Sequence, residues 1–314
     1  MTNFKQTLST ITDYIKADIF PGASLALYDG QDWQEHYLGT QDGNHPVVPG
    51  LTYDLASVSK VVGVGTLCLF YLQAGKLDLD EKLSTYYPEV VDKTLTLRQL
   101  LSHSSGIDPF IPNRDDLDQA GLIAAINAIK VKSDKPFLYT DINFILLGLM
   151  LEKVSGTTLD KLFDSEIFQP FGMFETGFGP VDHAVPTVEG VPGGTVHDPK
   201  ARVLKEHTGS AGLFSTLKDL EIFVNHYLTD NFAKNMTQNI SQSNKERSVA
   251  WDLQGDWILH TGYTGTFVLI NIPAQRAAIF LSNRTYYKDE RAQWIKDRDA
   301  LIEIMKEELV HSDK

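Results

Sequence analysis

A single cysteine, Cys68, stands among 314 residues, so no internal disulfide can brace the chain. It lies in the apolar run VGVGTLCLFYL, where a small buried hydrophobe is the expected role rather than a reactive thiol. Positive charge is also scarce. Lys and Arg total 28 against 41 Asp and Glu, a net charge of -13, which argues against a general nucleic-acid binder with its basic face. A local site for a small anion is compatible with that balance. The N-terminus lacks the basic start and apolar segment of a secretory leader: MTNFKQTLSTITDYIKADIF instead sets Phe4, Leu8, Ile11, Ile15 and Ile19 at helical spacing. No later stretch reads as apolar for long enough to span a membrane, so a soluble, cytoplasmic protein is expected. Gly63-Val64-Gly65 lacks the third glycine of a dinucleotide loop. His183, His197, Asp198 and His207 match no metal-ligand spacing, and His103 in SHSSG is expected to hydrogen-bond its own turn. The residues call for no metal and no cofactor.

What is present is an ordinary globular composition, 42% hydrophobic and 22% charged, on a chain long enough for one large domain or two interleaved lobes. The first helix should stop before Pro21-Gly22. ASLALYDG then alternates like a half-buried strand, and QEHYLG is placed to return beside it. VVGVGTLCLFYLQAGKL reads as a long apolar helix with Gly75 as C-cap, and TLTLRQLLSHSSGI as a helix ending in a polar turn. Further helices are expected at 118–130, at 141–154 with Asp141 as N-cap, and at 158–168. Residues 180–216, rich in Gly, Pro and Thr, read as long surface loops. TGTFVLINIPAQRAAIFLSN reads as an antiparallel hairpin, and Lys288 to Val310 as a terminal helix. Strands at both ends with helices between them predict an α/β fold of the α+β type. Its central antiparallel sheet draws on N- and C-terminal strands flanked by the terminal helices, and the middle of the chain forms an inserted, mainly helical lobe. The boundaries are about 1–60 and 210–314 for the α/β lobe and 61–209 for the helical one, with a cleft at the seam.

Three short stretches carry candidate chemistry. In Ser57-Val58-Ser59-Lys60, residues three apart on a helix share a face, so hydroxyl and amine can meet. The pair reads either as a nucleophile with its base, which requires the lysine to lose its proton, or as a helix cap with a solvated lysine. Tyr139-Thr140-Asp141 places a phenol just before a helix start: a proton relay, or a half-buried tyrosine beside a capping aspartate. His260-Thr261-Gly262 leads into the hairpin. There Gly262 would let backbone approach a bound substrate, His260 and Thr261 would aim donors at it, and the N–H of Tyr263 would pair with that of Ser57 around an oxyanion.

In this order the three stretches resemble the S-x-x-K, Y-x-N and K-T-G signatures of the serine β-lactamase and penicillin-binding-protein superfamily. The similarity is greatest to its class C-related branch, which includes D-alanyl-D-alanine peptidases and carboxylesterases. LRQLLSHSSGI, YTDINFILLGLMLEKVSG and GSAGLFSTLKDL are similar to stretches of that branch, and the resemblance runs from about Ile19 to Asn283. It implies one β-lactamase-like domain and a serine hydrolase acting through an acyl-enzyme on a small-molecule ester, peptide or β-lactam. In that reading Ser57 attacks, Lys60 helps remove its proton, Tyr139 relays the proton to the leaving group, and Ser57 and Tyr263 N–H groups hold the oxyanion. Asp141, His260, Thr261 and Gly262 would bind substrate. The alternative is a penicillin-binding sensor or scaffold acylated at Ser57 with little turnover. Two departures stand out. Asp141 replaces an asparagine that contacts the acylamino group, and His260 replaces a lysine that attracts a substrate carboxylate. Both favour an ester or an unusual peptide over a β-lactam.

Overall fold

The computed structural model describes residues 4–311. Among the described residues, nine strands form two sheets. Strands β1 (Gly22–Tyr28), β2 (Trp33–Gly39), β6 (Asp252–Gln254), β7 (Trp257–Thr261), β8 (Phe267–Asn271) and β9 (Arg276–Ser282) make one antiparallel sheet in the order β2-β1-β9-β8-β7-β6. Strands β3 (Thr52–Asp54), β4 (Gly177–Phe178) and β5 (Leu213–Thr216) make a small second sheet in the order β3-β5-β4. The central pairing joins the two ends of the chain, Leu25 opposite Phe280 on β1 and β9. The expected hairpin is present as β8 and β9.

The large sheet is covered on both faces. Phe267, Leu269, Ala278 and Phe280 pack with Phe4, Ile11, Leu301 and Met305 of the terminal helices. Val268, Ile270, Ala277 and Ile279 face the other way, into the core shared with the helical middle of the chain. This explains a departure from the half-buried strand expected in ASLALYDG. The alternation there is of side-chain size, not polarity, and β1 is buried from Gly22 to Leu27. The helices Lys5–Lys16 and Arg291–Val310 lie together, and the Glu308 carboxylate accepts from the N–H groups of Gln6 and Thr7 at 3.0 and 2.9 Å. A carboxylate from the end of the chain thus satisfies donors left open at its first helix.

Three expectations need correction. The apolar stretch after Lys60 is not one regular helix. A 3₁₀ turn at Ala56–Val58 precedes a π-helical turn at Val61–Gly65 and an α-helix at Thr66–Gln73. The glycines permit the wide turn to pack tightly. A Cβ on Gly63 would meet the Phe163 ring at 2.4 Å and one on Gly65 the Ala250 Cβ at 2.7 Å. That same run, Ala56–Gln73, is long and apolar enough to cross a membrane, contrary to the sequence reading, but 78% of it is buried inside the fold. It serves as a core element. Finally, residues 180–216 are not all loop. They contain the helix Pro199–Leu204, capped by Asp198 with Pro199 in its first turn, and strand β5.

Candidate active site

The site begins where β3 ends. Asp54 is fully buried, and its two oxygens accept from the N–H groups of Ala56 and His197, each at 2.7 Å. Ala56 sits at φ +46°, a left-handed conformation that costs a side-chain-bearing residue and persists only when its surroundings hold it. The Asp54 bond is one such hold. Others come from Leu55, whose N–H donates to Leu213 O at 2.9 Å and whose carbonyl accepts from Thr266 Oγ1 at 3.1 Å. This sharp turn presents Ser57, half-buried, at a cleft of about 470 Å³. That volume lies in the range of about 300–1,000 Å³ usual for small-ligand sites.

One turn further on, Lys60 is completely buried. Its ammonium donates to Ser57 Oγ at 2.8 Å, to Asp141 Oδ1 at 2.7 Å and to the carbonyl of Ser210 at 2.8 Å. All three N–H donors are therefore used. Burial pulls this ammonium toward deprotonation, but the Asp141 carboxylate and the Tyr139 phenol outweigh it and hold Lys60 above the usual lysine range. A free-base lysine ready at rest is thus not what the fold builds, and the cause is the aspartate. Asp141 is partly buried, which would raise it, yet Lys60 and Lys200 together hold it below the usual carboxylate range. It does not cap its helix. Thr140 is the N-cap of Asp141–Ser155, accepting from Ile142 N–H, which leaves both Asp141 oxygens for lysines.

Tyr139 lies at the cleft wall, 38% exposed, with the Lys60 ammonium 5.2 Å from its ring centre. Its ring rests against His103, centroids 4.4 Å apart, and faces His260 at 6.2 Å. His103 bonds the helix start rather than its own turn. Its Nδ1 accepts from Asn143 Nδ2 at 2.9 Å and from Thr140 N–H at 3.4 Å, placing the proton on Nε2. Burial, reinforced by the nearby cations Arg247 and Lys60, holds both imidazoles well below the ordinary histidine range, so they are neutral. Arg247 is itself buried, with Asp252 3.4 Å away.

The third stretch divides. Tyr263 lines the cleft, its hydroxyl donating to Asp289, with Arg284 4.7 Å from its ring centre and the His197 ring 5.5 Å away. His260 is buried behind Tyr139 and is not part of the cleft wall. Thr261 turns to the opposite face of the sheet, where its Oγ1 accepts from Arg298 at 3.3 Å. The close approach that Gly262 permits is to the chain itself: a Cβ there would meet Thr266 Oγ1 at 2.1 Å and Leu55 O at 2.7 Å. Its role is to seat β7 against the turn that carries Ser57.

Of the residues singled out by sequence, Ser57, Tyr139, Asp141 and Tyr263 line one cleft, with Lys60 beneath it. Sequence reasoning missed Lys200, Asp54 and the Ser210 carbonyl, and gave Asp198 no role. Lys200 also lines the cleft, 3.0 Å from Asp141 Oδ2 and 3.1 Å from Asp198 Oδ2. His207 pairs with Glu152 at 2.8 Å, and among the described residues no cluster of three or more His, Cys, Asp or Glu forms a candidate metal site.

Residues 9–302 match the Beta-lactamase family model. An Escherichia coli K12 protein provisionally named D-alanyl-D-alanine carboxypeptidase is 25% identical over 303 residues, covering 76% of this chain and 70% of its own length. Among solved structures, a β-lactamase/D-alanine carboxypeptidase from Yersinia pestis superposes with a TM-score of 0.77 at 15% identity, covering 96% of this chain and 98% of that one. EstCE1, a hydrolase with promiscuous acyltransferase activity, gives a TM-score of 0.76 at 18% identity over 95% and 97% of the two chains. With most of its length inside the family's boundaries and the Ser57-Lys60 pair set in the cleft, the chain belongs to the β-lactamase family.

Proposed function

We propose that this protein is a serine hydrolase that forms an acyl-enzyme at Ser57 on a small ester or a D-amino-acid peptide. The observation that carries the reading is the 2.8 Å contact between Lys60 Nζ and Ser57 Oγ at an open cleft. At rest Lys60 is an ammonium, so acylation starts from the fraction that has lost a proton to solvent. The free amine takes the Ser57 proton as Oγ bonds the substrate carbonyl carbon. Charge moves to the carbonyl oxygen, where the N–H groups of Ser57 and Tyr263 would receive it. Collapse of this intermediate breaks the bond to the leaving group, which takes its proton through Tyr139, and water then hydrolyses the acyl ester. The buried, neutral His260 supplies no cation for a substrate carboxylate, which supports an ester, or a peptide without a free carboxylate at that place, over a β-lactam.

The test is intact-protein mass spectrometry and turnover of wild type and Ser57→Ala with a short-chain nitrophenyl ester, a D-alanyl-D-alanine peptide and a penicillin. Turnover of ester or peptide, lost in Ser57→Ala, supports the reading. A lasting penicillin adduct on Ser57 with no turnover of the others would replace hydrolysis by penicillin sensing.

A further inference from the structure

Asp141 gives one oxygen to each of two lysines, Oδ1 to Lys60 at 2.7 Å and Oδ2 to Lys200 at 3.0 Å. Lys200 is in turn fixed by Asp198 Oδ2 at 3.1 Å, and Asp198 is fixed because its Oδ1 caps the Pro199–Leu204 helix through Ala201 N–H at 2.8 Å. A continuous line therefore runs from Ser57 through Lys60, Asp141 and Lys200 to Asp198. Its last two members come from a helix that contributes nothing to the sheet or to the turn holding Ser57. Lys200 is mostly buried, its side chain only 14% exposed, so its charge acts at short range with little screening.

Two cations on one carboxylate divide its pull. With Lys200 removed, both oxygens of Asp141 would be left to Lys60, and the ammonium that must release a proton would be held harder. We propose that Lys200 is a positioning residue that draws Asp141 away from Lys60, keeping Lys60 on Ser57 while leaving it able to act as the base. The proposal rests on the acyl-enzyme reading above. The other groups facing this line are Ser57, Tyr139 and the Ser210 carbonyl against Lys60, with His103, His260 and the Arg247–Asp252 pair behind Tyr139. Both imidazoles are neutral, so they carry no charge change across the alkaline range where Lys60 titrates.

The experiment is the pH profile of kcat/KM for a nitrophenyl ester between pH 6 and 10, in wild type, Lys200→Met, Lys200→Gln, Lys200→Arg and Ser57→Ala. Because Lys60 is held above the usual lysine range, its limb lies above this window, so removing one of two neighbouring cations should lower kcat/KM by about tenfold at every pH from 6 to 10 while the rate still climbs with pH. Lys200→Gln keeps a donor and should show the same loss if Lys200→Met folds poorly, while Lys200→Arg keeps the charge and should stay within about threefold of wild type. A loss of less than about threefold in Lys200→Met and Lys200→Gln, a gain in rate, or a loss in Lys200→Arg equal to theirs would overturn the role of Lys200 alone. Full turnover in Ser57→Ala would instead overturn the acyl-enzyme reading and the proposal with it.

Discussion

Replacing Asp141 by asparagine is the most direct test of how the fold sets Lys60, because shape is kept and one charge is removed. Lys60 Nζ lies 2.7 Å from Asp141 Oδ1 and is fully buried, so the carboxylate acts on it almost unscreened while burial opposes. An opposite charge at such a distance moves a titrating group by about one to three pH units, each worth about 1.4 kcal/mol. In Asp141→Asn the burial effect is opposed by the Tyr139 phenol without the carboxylate, and the free-amine fraction of Lys60 at neutral pH rises. The acidic limb of kcat/KM should therefore fall by about one to three pH units, raising the rate at pH 7 at least about tenfold. Stability should move the other way, because two buried ammoniums lose their shared partner. The sign follows from Asp141 being held below the usual carboxylate range. Its contribution is present above the unfolded aspartate value of about 3.9 and is lost as pH falls through the folded one, so wild type should exceed the variant in urea at pH 5 to 7, with the gap closing in acid. Ester kinetics across pH, paired with urea titrations at pH 3 and 7, read both effects. A limb that stays in place or climbs in Asp141→Asn would refute the electrostatic account of Lys60.

Two further substitutions probe separate parts of the site. Tyr139→Phe should lower kcat by about a hundredfold, the scale of a lost proton relay, while a fluorophosphonate still labels Ser57; turnover within threefold of wild type would remove Tyr139 from the proton path. Gly262→Ala forces a Cβ to within 2.7 Å of Leu55 O, so it should cost about 1–3 kcal/mol in urea and slow Ser57 labelling by moving the turn. A variant as stable and as quickly labelled as wild type would mean β7 does not seat the nucleophile.

The parts of this structure that were legible in sequence are those whose signal is local. The apolar runs of β8 and β9 and the spacing of Phe4, Leu8 and Ile11 are read directly because each needs only its own neighbours. The small sheet of β3, β4 and β5 was not, since strands of two to four residues have no period to detect. Ser57, Lys60, Tyr139 and Tyr263 were singled out by their order along the chain, and the fold brings them to one cleft. His260 and Thr261 were assigned to substrate because a motif does not state which face of a strand each residue takes. In β7, Trp257 and Leu259 face the terminal helices, so Thr261 follows them, and His260 follows Ile258 into the opposite core. Strand parity would have separated them. Lys200 was invisible for a different reason. Its Asp-Pro-Lys context announces a helix start, but its partner Asp141 lies 59 positions earlier, and only tertiary packing joins them.

Asp54 gives one oxygen to the turn before Ser57 and the other to the loop entering the Asp198-capped helix. A single buried atom pair thus acts as a rivet through both walls of the cleft. A change in the segment between Val181 and His197, which buries Val185 and Val196 and leaves a Cβ on Gly193 only 2.0 Å from Ala184 O, would pass through Asp54 to Ala56 and from there to Ser57. The rivet also has a proton-sensitive head. Burial, against the two N–H bonds, pushes the Asp54 carboxyl up to about 6, and in mild acid one of its acceptors becomes a hydroxyl facing an N–H. Even so, the closed joint holds this carboxyl above the solvated value of about 3.9, so mild acid favours the joint and its desolvation cost appears as pH rises through about 6.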